Sequence, residues 1–205
     1  MKHWQAVKRV LRNLKGTKDF GLHIKHCDNL ALYGYSDADY ACTRDENIST
    51  SGYCVYFGDT IVSWSSKKQH VLSRSSAESE YRALALVSCE IAWLESLLGK
   101  LKFPLPQKPI TWCDNLSASA LAINLVYHSK TNHIEFNVHF VREKVLEKKL
   151  EIRYVPSQDQ IIDCLTKALS PSQFQFMRDK LVVVERPLPL PSLRHNVGIT
   201  AIGNR

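Results

Sequence analysis

The spacing of hydrophobic residues changes from helical to strand-like early in the chain. Within residues 1–28 apolar positions recur every three or four residues until Gly16, which predicts an amphipathic helix. Short apolar and aromatic runs then follow one another at strand length. Gly58 and Asp59 separate two of these runs and are typical of a tight hairpin turn. The runs that predict strands are 30–37, 52–57 and 60–64.

A long helix is predicted over residues 75–98. Ser75 and Glu78 have the spacing of a capping box, and Gly99 suits the C-terminal end. Apolar residues form a stripe with steps of three and four, and one further step towards the N-terminus reaches Glu80. A carboxylate in line with an apolar stripe points towards the core and needs a cation or an exposed position there. The stripe consists of Leu84, Val87, Ile91, Leu94 and Leu98.

Strands and helices alternate in the second half of the chain. Early antiparallel strands followed by this alternation predict the α/β class, with a mixed sheet (α+β in part) that helices cover on its faces. We expect the sheet domain to span 29–170, with a C-terminal helix at 171–184. Residues 185–205 contain three prolines and predict an extended or disordered tail. The later elements are a strand at 109–113, helices at 115–124 and 133–148, a strand at 150–155 and a helix at 159–169.

The positive charge is concentrated at the start of the chain. The net charge is +7 over 205 residues, and residues 1–28 contain seven lysines and arginines but two aspartates. This segment therefore carries a net +5, which fits a polyanionic partner because basic side chains release counterions from phosphates. A solvated helix face is the alternative explanation.

Cysteine spacing and hydropathy exclude several classes of protein. The six cysteines form no CxxC pair, which disfavours a zinc ribbon, and we expect no zinc site. No apolar signal segment begins the chain, which favours a reducing compartment, cytoplasmic or nuclear, over secretion. No run of 18 apolar residues occurs, so no membrane partner is expected.

Four carboxylates occupy strand ends or adjoining helices. Asp37 ends the first strand, Glu80 heads the apolar stripe, Asp114 follows the strand 109–113, and Asp163 lies in the last predicted helix. Each has an ordinary alternative role: an edge position for Glu80, a helix N-cap for Asp114 and simple solvent exposure for Asp163. As a set they would repel one another unless cations lie between them.

Clustered carboxylates are typical ligands of Mg²⁺ or Mn²⁺. Two such ions, roughly 3.5–4 Å apart, can activate water and stabilise the leaving oxygen of a phosphodiester. The set therefore predicts a site for two divalent cations and a nuclease that needs no protein nucleophile.

The chain resembles the ribonuclease H domain of Ty1/copia-type retrotransposon Pol polyproteins. Residues 3–17 are similar to the end of the reverse transcriptase that precedes this domain. The blocks that carry the resemblance occur in family order: YSDADYA (35–41), STSGY (49–53), SWSSKKQ (63–69), LSRSSAESEYRAL (72–84), CDNLSA (113–118), HSKTNHIEF (128–136), HFVRE (139–143) and YVPSQDQIIDCLTKAL (154–169).

This resemblance implies a ribonuclease H-like fold, with a five-stranded mixed sheet flanked by helices. It also implies that two divalent cations support cleavage of the RNA strand of RNA–DNA hybrids during reverse transcription. A reverse transcriptase chain is then a second candidate partner. The metal ligands and catalytic residues would be Asp37, Glu80, Asp114 and Asp163, and the substrate-binding residues would be Ser51, Lys67, Lys68 and Asn115. The lysine pair could equally belong to a solvated turn.

Two other functions stay open at this stage. A non-catalytic retroelement remnant could bind hybrids or proteins without cutting, or could have no selected function. An integrase or transposase of related fold is disfavoured, because those enzymes use two aspartates and then a glutamate, whereas Glu80 comes second here. The stretch before Asp163 lacks the histidine of many ribonucleases H. We expect His128, His133 and His139 to be structural.

Overall fold

A computed structural model describes residues 2–41, 48–123 and 135–185. The chain divides into two compact units, Leu22–Val183 and a second one made of Met1–Gly21 with Val184–Arg205. The second unit contains α1 (Lys2–Gly16), which begins and ends close to the predicted leader helix. Its apolar side chains Trp4, Val7, Leu11 and Leu14 are exposed.

A five-stranded mixed sheet forms the centre of the large unit. In spatial order its strands are β4 (Thr60–Lys68), β3 (Thr50–Phe57), β2 (Leu32–Asp39), β5 (Ile110–Cys113) and β6 (Glu151–Tyr154). Strand β2 pairs antiparallel with β3 and parallel with β5. The predicted mixed α/β class, with a five-stranded sheet flanked by helices, is confirmed.

Helices cover both faces of this sheet because strand alternation sends apolar side chains to each side. On one face α2 (Ser76–Lys100) packs on β2, β3 and β5, and α3 (Leu116–Ile123) and α4 (Glu135–Leu146) complete that layer. Its core contains Leu84, Val87 and Ile91 of the predicted stripe. On the other face α5 (Asp163–Thr166) and α6 (Pro171–Lys180) enclose a smaller core that includes Cys54 and Ile162.

Two predicted helices differ from the structure. The helix expected at 159–169 is a 3-10 turn at Ser157–Asp159 followed by α5, because Gln160 between them has an extended backbone and its buried side chain donates to the Ser36 carbonyl. The helix expected at 171–184 ends at Lys180, and Val183–Glu185 forms strand β7. Consecutive β-branched valines favour a strand there. Strand β7 pairs with β1 (Phe20–Leu22), which the hydrophobic pattern did not predict.

Most of the predicted tail lies outside the described residues. Of the segment 185–205, Glu185 alone is described, at the end of β7. The histidines His128 and His133 also lie outside the described part of the chain.

Candidate active site

Asp37 lies on the central strand β2, next to α5, the short helix that follows β6 and packs on this part of the sheet. It is the sixth residue of β2, and its side chain is fully buried on the face that α5 covers. The Thr166 hydroxyl and the Lys167 ammonium both donate to its carboxylate, the latter over 3.1 Å. Both carboxylate oxygens of this buried acid therefore have a donor from α5 or its C-cap.

Glu80 reaches the same place from α2, in the first turns of the helix. Its side chain is buried, as the apolar stripe indicated, so the alternative of an exposed edge position does not hold. The Ala38 amide donates to the carboxylate, while Oε2 has no hydrogen-bond partner in the described part of the chain. Burial, and then the negative charges of Asp37 and Asp114, raise the pKa of Glu80 to about 9.

Asp114 directly follows β5, next to the end of β2. Because β2 and β5 are parallel, their carboxyl ends meet at one edge of the sheet. Asn115, and not Asp114, caps α3, since its side-chain oxygen accepts from the Ala118 amide over 2.9 Å. The carboxylate of Asp114 accepts a hydrogen bond from Ser157 over 3.1 Å, but its Oδ1 is buried and has no partner among described residues. Burial, followed by the charge of Asp37, raises the pKa of Asp114.

Asp163 is the first residue of α5, and its side chain is only 16% exposed. Simple solvent exposure therefore does not describe it. Its carboxylate accepts from Lys167 over 2.8 Å, one helical turn later. Burial raises the pKa of Asp163, and the hydrogen bond from Lys167 opposes this effect.

The structure brings all four predicted acids into two overlapping groups. Asp37, Asp114 and Asp163 form one group, and Glu80, Cys113 and Asp114 form the other. In each group the candidate ligand atoms lie within 4.8 Å of one another. Two buried carboxylate oxygens without a partner fit a hard cation, because an unpaired buried charge is costly and a bound cation would satisfy it.

Lys167 is the functional candidate that sequence reasoning missed. Its ammonium lies 3.1 Å from Asp37 Oδ1 and 2.8 Å from Asp163 Oδ1. Burial works to lower the pKa of Lys167, but hydrogen bonds and charges from Asp163 and Asp37 outweigh it and raise the pKa. Its position four residues after Asp163 is a typical spacing of helical ion pairs and was a usable signal.

The predicted substrate-binding residues lie on β3, on β4 and at the start of α3. Lys67 and Lys68 are exposed at the end of β4, and Lys67 pairs in register with Ser51 on β3. Ser51 is buried, and its hydroxyl accepts from Gln69 over 2.8 Å. Asn115 adjoins Asp114 and caps α3. Their contact with a substrate stays a prediction.

Relatives of the chain are found among transposon polyproteins, although no protein-family model matches it. It is 45% identical over 90% of its length to the retrovirus-related Pol polyprotein from transposon RE2 of Arabidopsis thaliana. It is 35% identical over 86% of its length to the corresponding polyprotein from transposon TNT 1-94 of Nicotiana tabacum.

The chain is homologous to Ty1/copia-type retrotransposon Pol polyproteins. This Pol homologue spans 13% of the length of those two curated relatives.

Solved structures with a similar arrangement include LC11-RNase H1 in complex with RNA/DNA hybrid. That likeness has a TM-score of 0.47 at 15% identity and covers 66% of the Pol homologue and 93% of the other chain. The prototype foamy virus protease-reverse transcriptase is similar with a TM-score of 0.43 at 11% identity, over 79% of the homologue and 22% of that chain. Within the described ranges, no helix of the Pol homologue is both long and apolar enough to cross a membrane.

Proposed function

We propose that this chain cuts the RNA strand of RNA–DNA hybrids, using two divalent cations held by Asp37, Glu80, Asp114 and Asp163. The observation that carries the proposal is the convergence of these four acids, which come from four separate elements, at one edge of the sheet. The homology to retrotransposon Pol polyproteins supports it, because conversion of an RNA template into DNA leaves a hybrid to be removed.

The charge of the acidic cluster explains why cations are needed. Two carboxylates 4.8 Å apart repel each other by about 3.5 kcal/mol at an effective dielectric constant of about 20. Lys167 offsets part of this repulsion for Asp37 and Asp163, and Ser157 stabilises Asp114 by a hydrogen bond. A negatively charged phosphodiester could not approach this cluster unless further positive charge were bound there.

The group of Asp37, Asp114 and Asp163 offers only carboxylate oxygens as ligands, which suits Mg²⁺ or Mn²⁺. Glu80 contributes the unpartnered Oε2 next to Asp114. Two cations bound by these side chains would supply an activated water and stabilise the leaving oxygen. Thr166 and Lys167 would keep the Asp37 carboxylate oriented, since both donate to it.

Binding of the hybrid would depend on the predicted substrate-binding residues as well as on the acids. Lys67 and Lys68 are placed at the exposed end of β4, where they can contact phosphates. The Ser51 hydroxyl accepts a hydrogen bond from Gln69, so in contact with the hybrid this hydroxyl would act as a donor. Asn115 lies beside Asp114, and its side-chain NH₂ group is a donor that capping α3 does not use.

The test is cleavage of an end-labelled RNA–DNA hybrid in Mg²⁺ and, separately, in Mn²⁺. We expect the RNA strand alone to be cut, and cutting to stop when the metal is chelated. Asp37→Asn and Asp114→Asn should each reduce the rate by at least about 100-fold, because even a residue that only orients a metal ligand contributes 10- to 100-fold in affinity or activity.

Asp159→Asn is the matched control. Asp159 is an acid between β6 and α5, its carboxylate pairs with Lys180, and it belongs to neither ligand group. This variant should cut at the rate of the unchanged protein. A folded protein that binds the hybrid but never cuts it in either metal would overturn the proposal in favour of a hybrid-binding remnant.

A further inference from the structure

Cys113 is a buried nucleophilic group that hybrid cleavage leaves without a role. It is the last residue of β5, directly before Asp114, and it is fully inaccessible to solvent. Its thiol is within 4.8 Å of carboxylate oxygens of both Glu80 and Asp114. The thiol lies 3.8 Å from the Asn115 carbonyl oxygen, which is a long contact for a hydrogen bond.

Each of these two acids has one buried oxygen without a hydrogen-bond partner among the described residues. Glu80 is 93% buried, and its Oε2 has no hydrogen-bond partner in the described ranges. Asp114 is only partly buried, but its Oδ1 atom is inaccessible and also has no partner among the described residues. Unpaired buried carboxylate oxygens are costly, so they indicate that a positively charged ligand belongs between the three groups.

We infer that Cys113, Glu80 and Asp114 form a site for a thiophilic divalent cation such as Zn²⁺, overlapping the proposed Mg²⁺ or Mn²⁺ site. One sulfur and two oxygens are ligands that suit zinc, whereas magnesium takes oxygen alone. Neighbouring ligands of a tetrahedral zinc ion lie about 3.5 Å apart, as its bond lengths of about 2.0–2.3 Å require. Small side-chain rotations would therefore close the observed group around the ion.

The lack of a CxxC pair does not bear on this site, because its ligands come from α2 and from the end of β5. Binding would form a metal–sulfur bond and release the thiol proton to solvent. Since Glu80 and Asp114 are shared, a zinc ion there would exclude the harder cation from the same carboxylates. The inference rests on the proposed function in this respect: the site would switch the proposed nuclease off when zinc is available.

The test uses metal binding by the full chain and needs no cleavage assay. Co²⁺ replaces Zn²⁺ as a spectroscopic probe, and a sulfur-to-cobalt charge-transfer band reports a thiolate ligand directly. We expect this band in the unchanged protein and its loss in Cys113→Ser. The affinity for Zn²⁺ should fall by more than about 100-fold, because loss of a residue that merely orients a ligand already costs 10- to 100-fold. Mn²⁺ binding, followed by electron paramagnetic resonance, should be retained.

Cys54→Ser is the matched control, since Cys54 is also fully buried in the sheet but lies in the core on the opposite face. It should keep the cobalt band and the zinc affinity. Cys113→Ala is the second variant, in case a buried serine hydroxyl prevents folding.

Absence of the cobalt band from the unchanged protein would overturn the inference, as would a band that survives in Cys113→Ser or disappears in Cys54→Ser. Loss of Mn²⁺ binding together with zinc binding in both Cys113 variants would also overturn it, since Cys113 would then be a structural residue. If Mn²⁺ fails to bind the unchanged protein while the cobalt band is present, the proposed nuclease site fails and the thiophilic site stands.

Discussion

Gly52 is the position at which β3 supports the acidic cluster. It pairs in register with Asp37, and an added Cβ would lie 2.6 Å from Thr166 Cγ2 and 2.9 Å from Ile162 Cγ2. Both neighbours belong to the segment that carries Asp163. We therefore expect Gly52→Ala to push α5 away from the sheet, because neither contact is compatible with a methyl group in place.

The size of the effect follows from two opposing terms. Overpacking of a core typically costs about 1–3 kcal/mol, and replacing glycine by alanine returns about 0.4–1 kcal/mol by restricting the unfolded chain. The free energy of unfolding should fall by about 1–2 kcal/mol. For a unit of the size of Leu22–Val183 this lowers Tm by roughly 2–8 °C. Affinity for Mn²⁺ should fall by about 10-fold or more, since α5 holds Asp163.

Gly34→Ala is the matched control on the opposite face of the sheet. Its added Cβ would lie 2.8 Å from both Ile91 Cδ1 and Val87 Cγ2, in the core beneath α2. It should lower Tm by a similar amount but reduce Mn²⁺ affinity less than Gly52→Ala does, because Val87 and Ile91 lie about two and three helical turns from Glu80. Thermal unfolding and metal titration measure the two effects. The reasoning is refuted if Gly52→Ala lowers Tm but binds Mn²⁺ normally, or if both variants lose the metal equally.

Three further perturbations test the electrostatics. In the metal-free protein the pKa of Glu80 is raised from an ordinary 4.5 to about 9, so the folded state binds this proton more tightly than the unfolded state does. The free energy of unfolding should therefore fall as pH rises from 4.5 to about 9. In urea unfolding, Glu80→Gln should show a weaker pH dependence than the unchanged protein, and equal profiles would contradict this. Lys167→Met removes the ammonium between Asp37 and Asp163, so the metal-free protein should be less stable. Adding Mn²⁺ should then raise the Tm of this variant by more than it raises the Tm of the unchanged protein. An equal rise would contradict the role of Lys167 as the positive charge that neutralises these acids when no metal is bound. Deleting residues 1–28 removes a net +5 and should weaken hybrid binding and flatten its salt dependence; an unaltered slope in titrations at several salt concentrations would assign the leader to packing.

The sequence pattern predicted the parts of the fold that depend on local periodicity. All five strands of the main sheet and the long helix α2 occur close to the expected bounds. The alternation of apolar and polar residues in the strands, and the apolar stripe in the helix, indicate which face of each element is buried. The same stripe identified Glu80, since burial of its carboxylate follows from its position on the helix. Gly58 adopts a positive φ of 59° at the hairpin, as the turn signal indicated.

Features set by distant contacts could not be predicted in this way. The helix expected at 159–169 is interrupted because Gln160 is buried against Ser36, a contact between residues 124 positions apart. Lys167 meets Asp37 across an even longer separation, and nothing local to Asp37 indicates it. The proximity of Cys113 to Glu80 likewise depends on how α2 lies against β5.

The placement of the acids links cation binding to folding. Asp37, Glu80, Asp114 and Asp163 belong to separate elements, and 43, 34 and 49 residues separate them in sequence. An unfolded chain cannot gather them, so a cation that needs several of these ligands binds the folded state alone and its binding energy adds to the stability of the fold. Without it, burial and mutual repulsion act against the ionised acids, as the raised pKa values of Glu80, Asp114 and Asp163 indicate. The edge of the sheet where β2 and β5 end is therefore strained electrostatically until positive charge arrives, and Lys167 relieves that strain in part by pairing with Asp37 and Asp163.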